Sequence, residues 1–271
     1  MGVHYRLAVV ATYLDSILDW HRERAREDDR PLAALVERAR AMPPGRSFEA
    51  TLRLAADQAA GVAVIAEIKR RSPSKGDLLP DLVAAPLAEA YERGGATCLS
   101  VLTDGVHFGG SSVDLMQARA ATSLPVLRKD FTVWEGDVAD ARLMGADAVL
   151  LIVAALDQPQ LVDLLAVARE LSIDALVECH DEAEVDRALS AEATMVGVNQ
   201  RDLTTFEVDP ERAERLAKVL PDGILKVAES GIDGPDSCRR LADAGFAAVL
   251  VGEHLVRSAD PVAALQSLLG A

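Results

Sequence analysis

From residue 62 onward, eight short β-rich apolar runs alternate with longer helical patterns, and this alternation restricts the chain more than any other feature. The runs occupy residues 62–68, 98–103, 125–130, 148–153, 174–180, 195–199, 224–230 and 247–253. Between them lie stretches such as LAEAYERGG, LVDLLAVAREL, AEVDRALS and DSCRRLADAG, with apolar residues spaced for one helix face and several ends near a glycine. Strands separated by helices pair in parallel, because a parallel neighbour requires a crossover. Eight such units predict an α/β fold closed into a (β/α)8 TIM barrel. An open doubly wound sheet would more often carry fewer strands and a G-x-G-x-x-G after the first, and none follows strand one.

Residues 1–61 read as an N-terminal helical extension on the barrel, with 62–271 the barrel itself and 1–271 one domain. Residues 12–40 predict one or two amphipathic helices, with Leu14, Ile17 and Leu18 and then Leu32, Leu35 and Val36 on their faces. Arg22, Arg24 and Arg26 with Glu23 and Glu27 read as a solvated face. MPPGRS (42–47) breaks the helix before a further helical stretch, FEATLRLAADQ. LAVVA (7–11) is too short for a secretory signal and reads as a docking tail or a poorly ordered start. No apolar run approaches the ~20 residues of a membrane span. Cys98, Cys179 and Cys238 lie far apart with no C-x-x-C pair, which argues against a zinc site or disulfides and fits a reducing cytoplasm. His4, His21, His107 and His254 are scattered, so no metal cluster is expected.

In such barrels polar residues at the C-terminal strand ends form the active site. Here those ends carry Glu67 and Lys69, Lys129 and Asp130, Glu178 and His180, Asn199 and Arg201, then Glu229, Ser230 and Gly231, and finally Gly252. The period of two sends Glu67 and Lys69 into the mouth together and turns Ile68 outward. By the same rule Lys129 or Arg128 can point in, and Lys129 is chosen; Glu178 points in and Cys179 out, and Asn199 and Arg201 agree. Any one of these alone is more often a solvated rim residue. Asp130 fits a role holding Lys129 or a loop, and His180 one in capping or packing. Two amines and two carboxylates at one mouth (Glu67, Lys69, Lys129, Glu178) are equipment for acid–base chemistry, each sign tuning the other's pKa.

Glycines after strands seven and eight, in AESGI (228–232) and VGE (251–253), suit loops that hold a phosphate through backbone N–H groups. The net charge of −15 sets the surface against nucleic acid and anionic membranes. An anionic small molecule therefore needs a local basic concentration, and Arg70, Arg71 and Lys75 after strand one are read as gathering it.

With these residues placed, the chain resembles the indole-3-glycerol-phosphate synthase family over residues 12–271. The motifs carrying the resemblance are IAEIKRRSPSKG, LSVLTDGVHFGGS, PVLRKDF, VLLIVAAL, LVECHD, GVNQRDL, VAESGI and VGEHLVR. The resemblance implies a carboxy-lyase of tryptophan biosynthesis that closes the indole ring with loss of CO2 and water, without metal or organic cofactor. It implies Lys129 as general acid oriented by Glu67, Glu178 as base in the dehydration, and Lys69 as acid or as partner of the substrate's carboxylate and hydroxyl. Asn199, Glu229 and Ser230 would hold polar groups, and Arg201 would support Asn199 or the anthranilate carboxylate. Phe108, with Leu150 and Leu203, would flank the ring; Ser72, Gly231, Gly252 and the backbone of Glu253 would take the phosphate. The implied partner is a phosphorylated small molecule, the implied assembly a monomer or weak homo-oligomer. Gln200, where the family often has Asn, faces outward and is expected to have little effect on catalysis. An isomerase of phosphoribosylated anthranilate would need a Cys or Asp pair at strand ends one and five, and a degenerate scaffold barrel should have lost mouth residues; neither fits.

Overall fold

The computed structural model describes residues 12–58, 61–72 and 75–270. LAVVA lies outside them. Eight parallel strands close into a barrel: β1 (Ala63–Ile68), β2 (Cys98–Leu102), β3 (Val126–Lys129), β4 (Ala148–Ile152), β5 (Asp174–Cys179), β6 (Met195–Asn199), β7 (Leu225–Glu229) and β8 (Ala248–Val251). Each pairs with the next, and β8 returns to β1 with Ala63 opposite Ala248. The strands are buried nearly throughout, as expected where both faces are covered, and therefore read as continuous Val, Ile, Leu and Ala runs. β1 and β6 end at their sequence-predicted limits, and the other six strands end one or two residues before theirs. Lys69, Asp130, His180, Ser230 and Gly252 thus lie just past the ladders, at the start of the loops.

Three helices precede β1: α1 (Tyr13–Glu27), α2 (Leu32–Arg40) and α3 (Phe48–Gln58). The outer ring is α4 (Ala84–Gly94), α5 (Ser112–Ala121), α6 (Glu135–Met144), α7 (Gln158–Glu170), α8 (Glu182–Ser190), α9 (Arg212–Ala217), α10 (Pro235–Asp243) and α11 (Pro261–Leu269). A two-residue hairpin pairs Arg71–Ser72 with Gly76–Asp77 in the loop after β1, and one-turn helices span Gly105–Phe108 and Glu253–Val256.

Helix α1 begins in a capping box, Thr12 accepting from the Asp15 N–H and Asp15 accepting from the Thr12 N–H. It buries Ile17, Leu18 and His21 against the barrel. The basic run on α1 is only partly solvated. Arg22 donates to the Ala155 carbonyl at 2.9 Å, which ties the helix to the end of β4, and Arg24 lies over the Trp20 ring.

At the opposite end of the barrel, Asp147 organises the residues entering the sheet. Its fully buried carboxylate accepts from the backbone N–H groups of Arg46 at 2.7 Å and Val126 at 2.9 Å, and from Arg119 Nη2 at 2.9 Å. Deleting it leaves two buried amides and a guanidinium without their partner. Asp147→Ala is expected to destabilise the fold by about 3 kcal/mol while leaving the opposite mouth of the barrel intact, since this face is remote from it. Denaturant midpoints at unchanged slope measure it; a loss below ~1 kcal/mol would discount the clamp.

Candidate active site

The C-terminal strand ends surround a cavity of about 940 Å³. Its wall includes the residues expected to act on or bind the substrate: Glu67, Lys69 and Ser72 from β1 and its loop, Phe108 after β2, Lys129 on β3, Glu178 on β5 and Asn199 and Arg201 at β6. Glu229, Ser230 and Gly231 follow from β7, and Gly252 and Glu253 from β8, with Leu150 and Leu203 as apolar lining. Alternation accounts for this convergence. Lys129 reaches inward while Arg128 turns into the helix layer, donating to Thr103 Oγ1 at 3.1 Å, the Asp137 carbonyl at 2.8 Å and Asp130 at 2.9 Å. Asp130 also accepts from the Phe131 N–H at 2.9 Å, so its carboxylate holds Arg128 and the loop.

The centre of the site is the Lys129 ammonium. Its Nζ lies 3.1 Å from Glu178 Oε2 and 3.2 Å from Glu229 Oε2. Burial disfavours the charged amine, but Glu178, Glu229 and Glu67 outweigh it and raise the pKa above the ordinary lysine value. Glu178 responds in the opposite sense. Burial pushes its pKa up, yet Lys129, His180 and the Asn199 amide, 3.1 Å from Oε1, bring it below normal. Glu229 has burial and the neighbouring Glu178 against it, and only Lys129 in favour, so its pKa rises to about 7. Its Oε1 is buried with no hydrogen-bond partner among the described residues. Glu67 does not orient Lys129 directly, contrary to the expectation: its Oε1 is taken by Lys69 Nζ, making a second ion pair at the end of β1.

Two glycines make room for these carboxylates. A Cβ on Gly197 would stand 2.3 Å from Glu229 Oε1, and one on Gly252 would stand 2.3 Å from Glu67 Oε1 and 3.1 Å from Lys69 Nζ. After β7, Ser230 and Gly231 both adopt φ of 67°, a turn braced from below by Gln200, whose Nε2 donates to the Ser230 carbonyl at 2.7 Å. Gln200 is thus fully buried and structural rather than incidental. Arg201 supports Asn199 through its backbone N–H, 3.0 Å from Oδ1, while its guanidinium donates to the Phe206 carbonyl at 3.0 Å.

The basic loop does not present its arginines to the cavity. Arg70 binds Asp114 Oδ1 and the Leu82 carbonyl, each at 2.8 Å, and Arg71 donates to the His107 carbonyl at 3.1 Å. Both guanidiniums are used to hold the neighbouring loop and helix α5, so the reading that they gather an anion is corrected. Sequence reasoning also missed a cluster that the fold assembles from distant segments. His21 Nε2 of α1 and His107 Nδ1 both meet Asp104 Oδ2, at 3.0 and 2.7 Å. A separation of 83 residues leaves no local signal for that contact. The three residues could each offer a metal-ligand atom, but they are hydrogen-bonded to one another more closely than the ~3.3 Å ligand separations of a tetrahedral zinc site. They serve to fasten α1 beside the mouth, where His21 and Phe108 each lie near Phe131.

Comparison with known proteins places the chain. The family model described as indole-3-glycerol phosphate synthase matches residues 14–268. An indole-3-glycerol phosphate synthase of Parafrankia sp. (strain EAN1pec) is 52% identical, covering 92% of this chain and 91% of its own length. One from Mycobacterium ulcerans (strain Agy99) is 49% identical over 96% of this chain and 95% of its own. Indole-3-glycerol phosphate synthase 2 of Streptomyces coelicolor is 51% identical over 88% and 90% respectively.

The raised Glu229 carboxyl has a consequence for stability. Between the ordinary carboxylate range and about pH 7 the unfolded chain ionises this group while the folded one keeps it protonated, so its contribution is present at low pH and lost as pH rises through that window. Glu229→Gln removes the dependence. The variant should gain roughly 1–3 kcal/mol on the wild type between about pH 5 and pH 8. Thermal unfolding at both pH values tests this, and a pH-independent difference would contradict the assignment.

Proposed function

The chain belongs to the indole-3-glycerol phosphate synthase family, and from that premise we propose which residues carry each step. The reaction converts 1-(2-carboxyphenylamino)-1-deoxyribulose 5-phosphate to indole-3-glycerol phosphate, CO2 and water, in tryptophan biosynthesis. The observation that carries the residue assignment is the ammonium of Lys129 held between two buried carboxylates at the floor of the cavity.

Ring closure begins when the ring carbon bearing the carboxylate attacks the ketone, and the ketone oxygen gathers negative charge. Lys129 protonates it. An ammonium stabilised by carboxylates is a weak acid, so it releases its proton only to an oxygen that has become strongly basic, as this one does in the transition state. Loss of CO2 restores the aromatic ring. In the final step Glu178, ionised and held by Asn199, removes a proton from the new five-membered ring while the hydroxyl leaves as water. Lys69, paired with Glu67, protonates that hydroxyl or holds the substrate carboxylate. Phe108, Leu150 and Leu203 flank the aromatic ring, and Arg201 and Glu229 complete the polar wall. The backbone N–H groups of the Ser230–Gly231 turn and of Gly252–Glu253, with Ser72, take the phosphate. The substrate carries about three negative charges near neutral pH. Glu229, its pKa raised to about 7, is partly protonated near neutral pH, which lessens its repulsion of the substrate.

Residues 12–58 and the barrel act as one unit, in the cytoplasm, as a monomer or weak homo-oligomer, without nucleic acid. No described helix is long and apolar enough to cross a membrane.

Incubation of the protein with the ribulose phosphate substrate should give the fluorescence of an indole product, and a folded protein that gives none would sink the reading. Lys129→Met should lower kcat by ~10²-fold or more with a modest change in substrate affinity, since general acid catalysis is worth that much. Near-normal turnover would remove Lys129 from the mechanism. Glu178→Gln should accumulate a decarboxylated, undehydrated intermediate in single-turnover trapping.

A further inference from the structure

His180 is the first residue past β5, and only its side-chain edge, 13% exposed, reaches solvent. Asp181 caps α8 by accepting from the Glu184 N–H at 2.8 Å. The Glu184 carboxylate turns back and engages the His180 backbone N–H at 2.7 Å and ring Nδ1 at 3.0 Å. That double contact fixes the ring's orientation and makes Nδ1 a donor, leaving Nε2 as the edge to be accounted for. Nε2 is buried and has no hydrogen-bond partner, and it lies 3.4 Å from Glu178 Oε1. A buried ring nitrogen left unpaired is costly. Facing a carboxylate, it is favourable when it carries a proton.

We propose that His180, locked by Glu184, is a positioning residue for Glu178, fixing the aim of Oε1 and supplying the positive charge that keeps this carboxylate ionised for proton abstraction. The inference rests on Glu178 acting as the base. The charges facing the pair come from several elements. Lys129 on β3, Glu229 on β7 and Glu67 on β1 surround Glu178; Glu184 on α8 and Arg212 at the start of α9 face His180. Burial opposes a charge on His180 and Arg212 adds to that, but Glu184 and Glu178 outweigh both and raise its pKa. The need for His180 follows from the order of events. While Lys129 is an ammonium it alone goes far to hold Glu178 ionised. Once Lys129 has given its proton to the substrate, His180 is the cation still in contact with Glu178, which must remain a base for the step to come.

The test is the pH dependence of kcat for His180→Gln, which keeps an amide donor without a charge, and for Glu184→Gln, which releases the ring from the α8 side. An opposite charge at this distance lowers a carboxyl pKa by at least about one unit, so the acid limb should move up by roughly that much in His180→Gln. On the acid limb itself, below the original pKa of Glu178, kcat should then fall by up to roughly tenfold, and on the plateau at about pH 8.5 stay within about twofold, with KM little changed. Glu184→Gln should shift the limb in the same direction by less, and it carries the test alone if His180→Gln does not fold. Glu178→Gln, measured alongside, separates the two assignments. If it remains active, Glu178 is not the base and the mechanism above falls. If it is inactive while the His180→Gln and Glu184→Gln profiles keep the wild-type acid limb, or lose activity equally at every pH, His180 is structural and this inference is overturned.

Discussion

A single buried ammonium organises the mouth of this barrel. Lys129 stands between Glu178 and Glu229 with Glu67 beyond, and the removal of those charges from water is offset only because the carboxylates lie opposite it. Much else follows from that grouping. Glu229 fits only because Gly197 on the neighbouring strand, two residues before its register partner Asn199, has no side chain, and Glu67 fits because Gly252 has none. Arg128, the adjacent residue of β3, has to be given its own partner in Asp130 behind the sheet. The strand that presents the acid therefore carries two buried cations on opposite faces, each with a separate counter-charge.

The arithmetic of the cluster explains its poise. Glu67, Glu178 and Glu229 set three carboxylates against the two ammonium groups of Lys69 and Lys129. Burial disfavours the surplus negative charge, and Glu229 absorbs the strain because it has the least compensation. An anionic substrate then meets less negative charge at the floor of the mouth, inside a protein whose formal net charge is −15. Attraction comes from these few groups and from backbone N–H donors rather than from the nearby arginines, which are already committed to carbonyls and to Asp114.

The closed eight-stranded order was legible because buried parallel strands and amphipathic helices leave different periods in a sequence. Alternation likewise restricted the mouth to one of Arg128 and Lys129 without deciding which, and it turned Glu178 inward, since one residue of slip moves a side chain into the helix layer. Other features depend on contacts that no local pattern encodes. Arg70 and Arg71 look like an anion trap in the sequence, but Arg71 is taken by carbonyls 34 to 36 residues away and Arg70 by the Asp114 carboxylate 44 residues away. The pairing of Glu67 with Lys69 rather than Lys129 is a choice between two reachable amines, decided by side-chain direction. His180 reads as a capping or packing residue from its place before α8; the cap is Asp181, and the Glu184 carboxylate that turns back onto His180 aims the ring at Glu178.

The most direct measurement of the central claim is the protonation state of Lys129 itself, followed by nitrogen-detected NMR of the lysine side chains with Lys129→Met supplying the assignment. The Nζ resonance is expected to remain that of an ammonium from about pH 6 to at least about pH 10, because its carboxylate partners raise its pKa above the ordinary lysine value. A resonance that turns to neutral amine near pH 8 would mean that burial, not the carboxylates, governs this side chain, and would contradict the account.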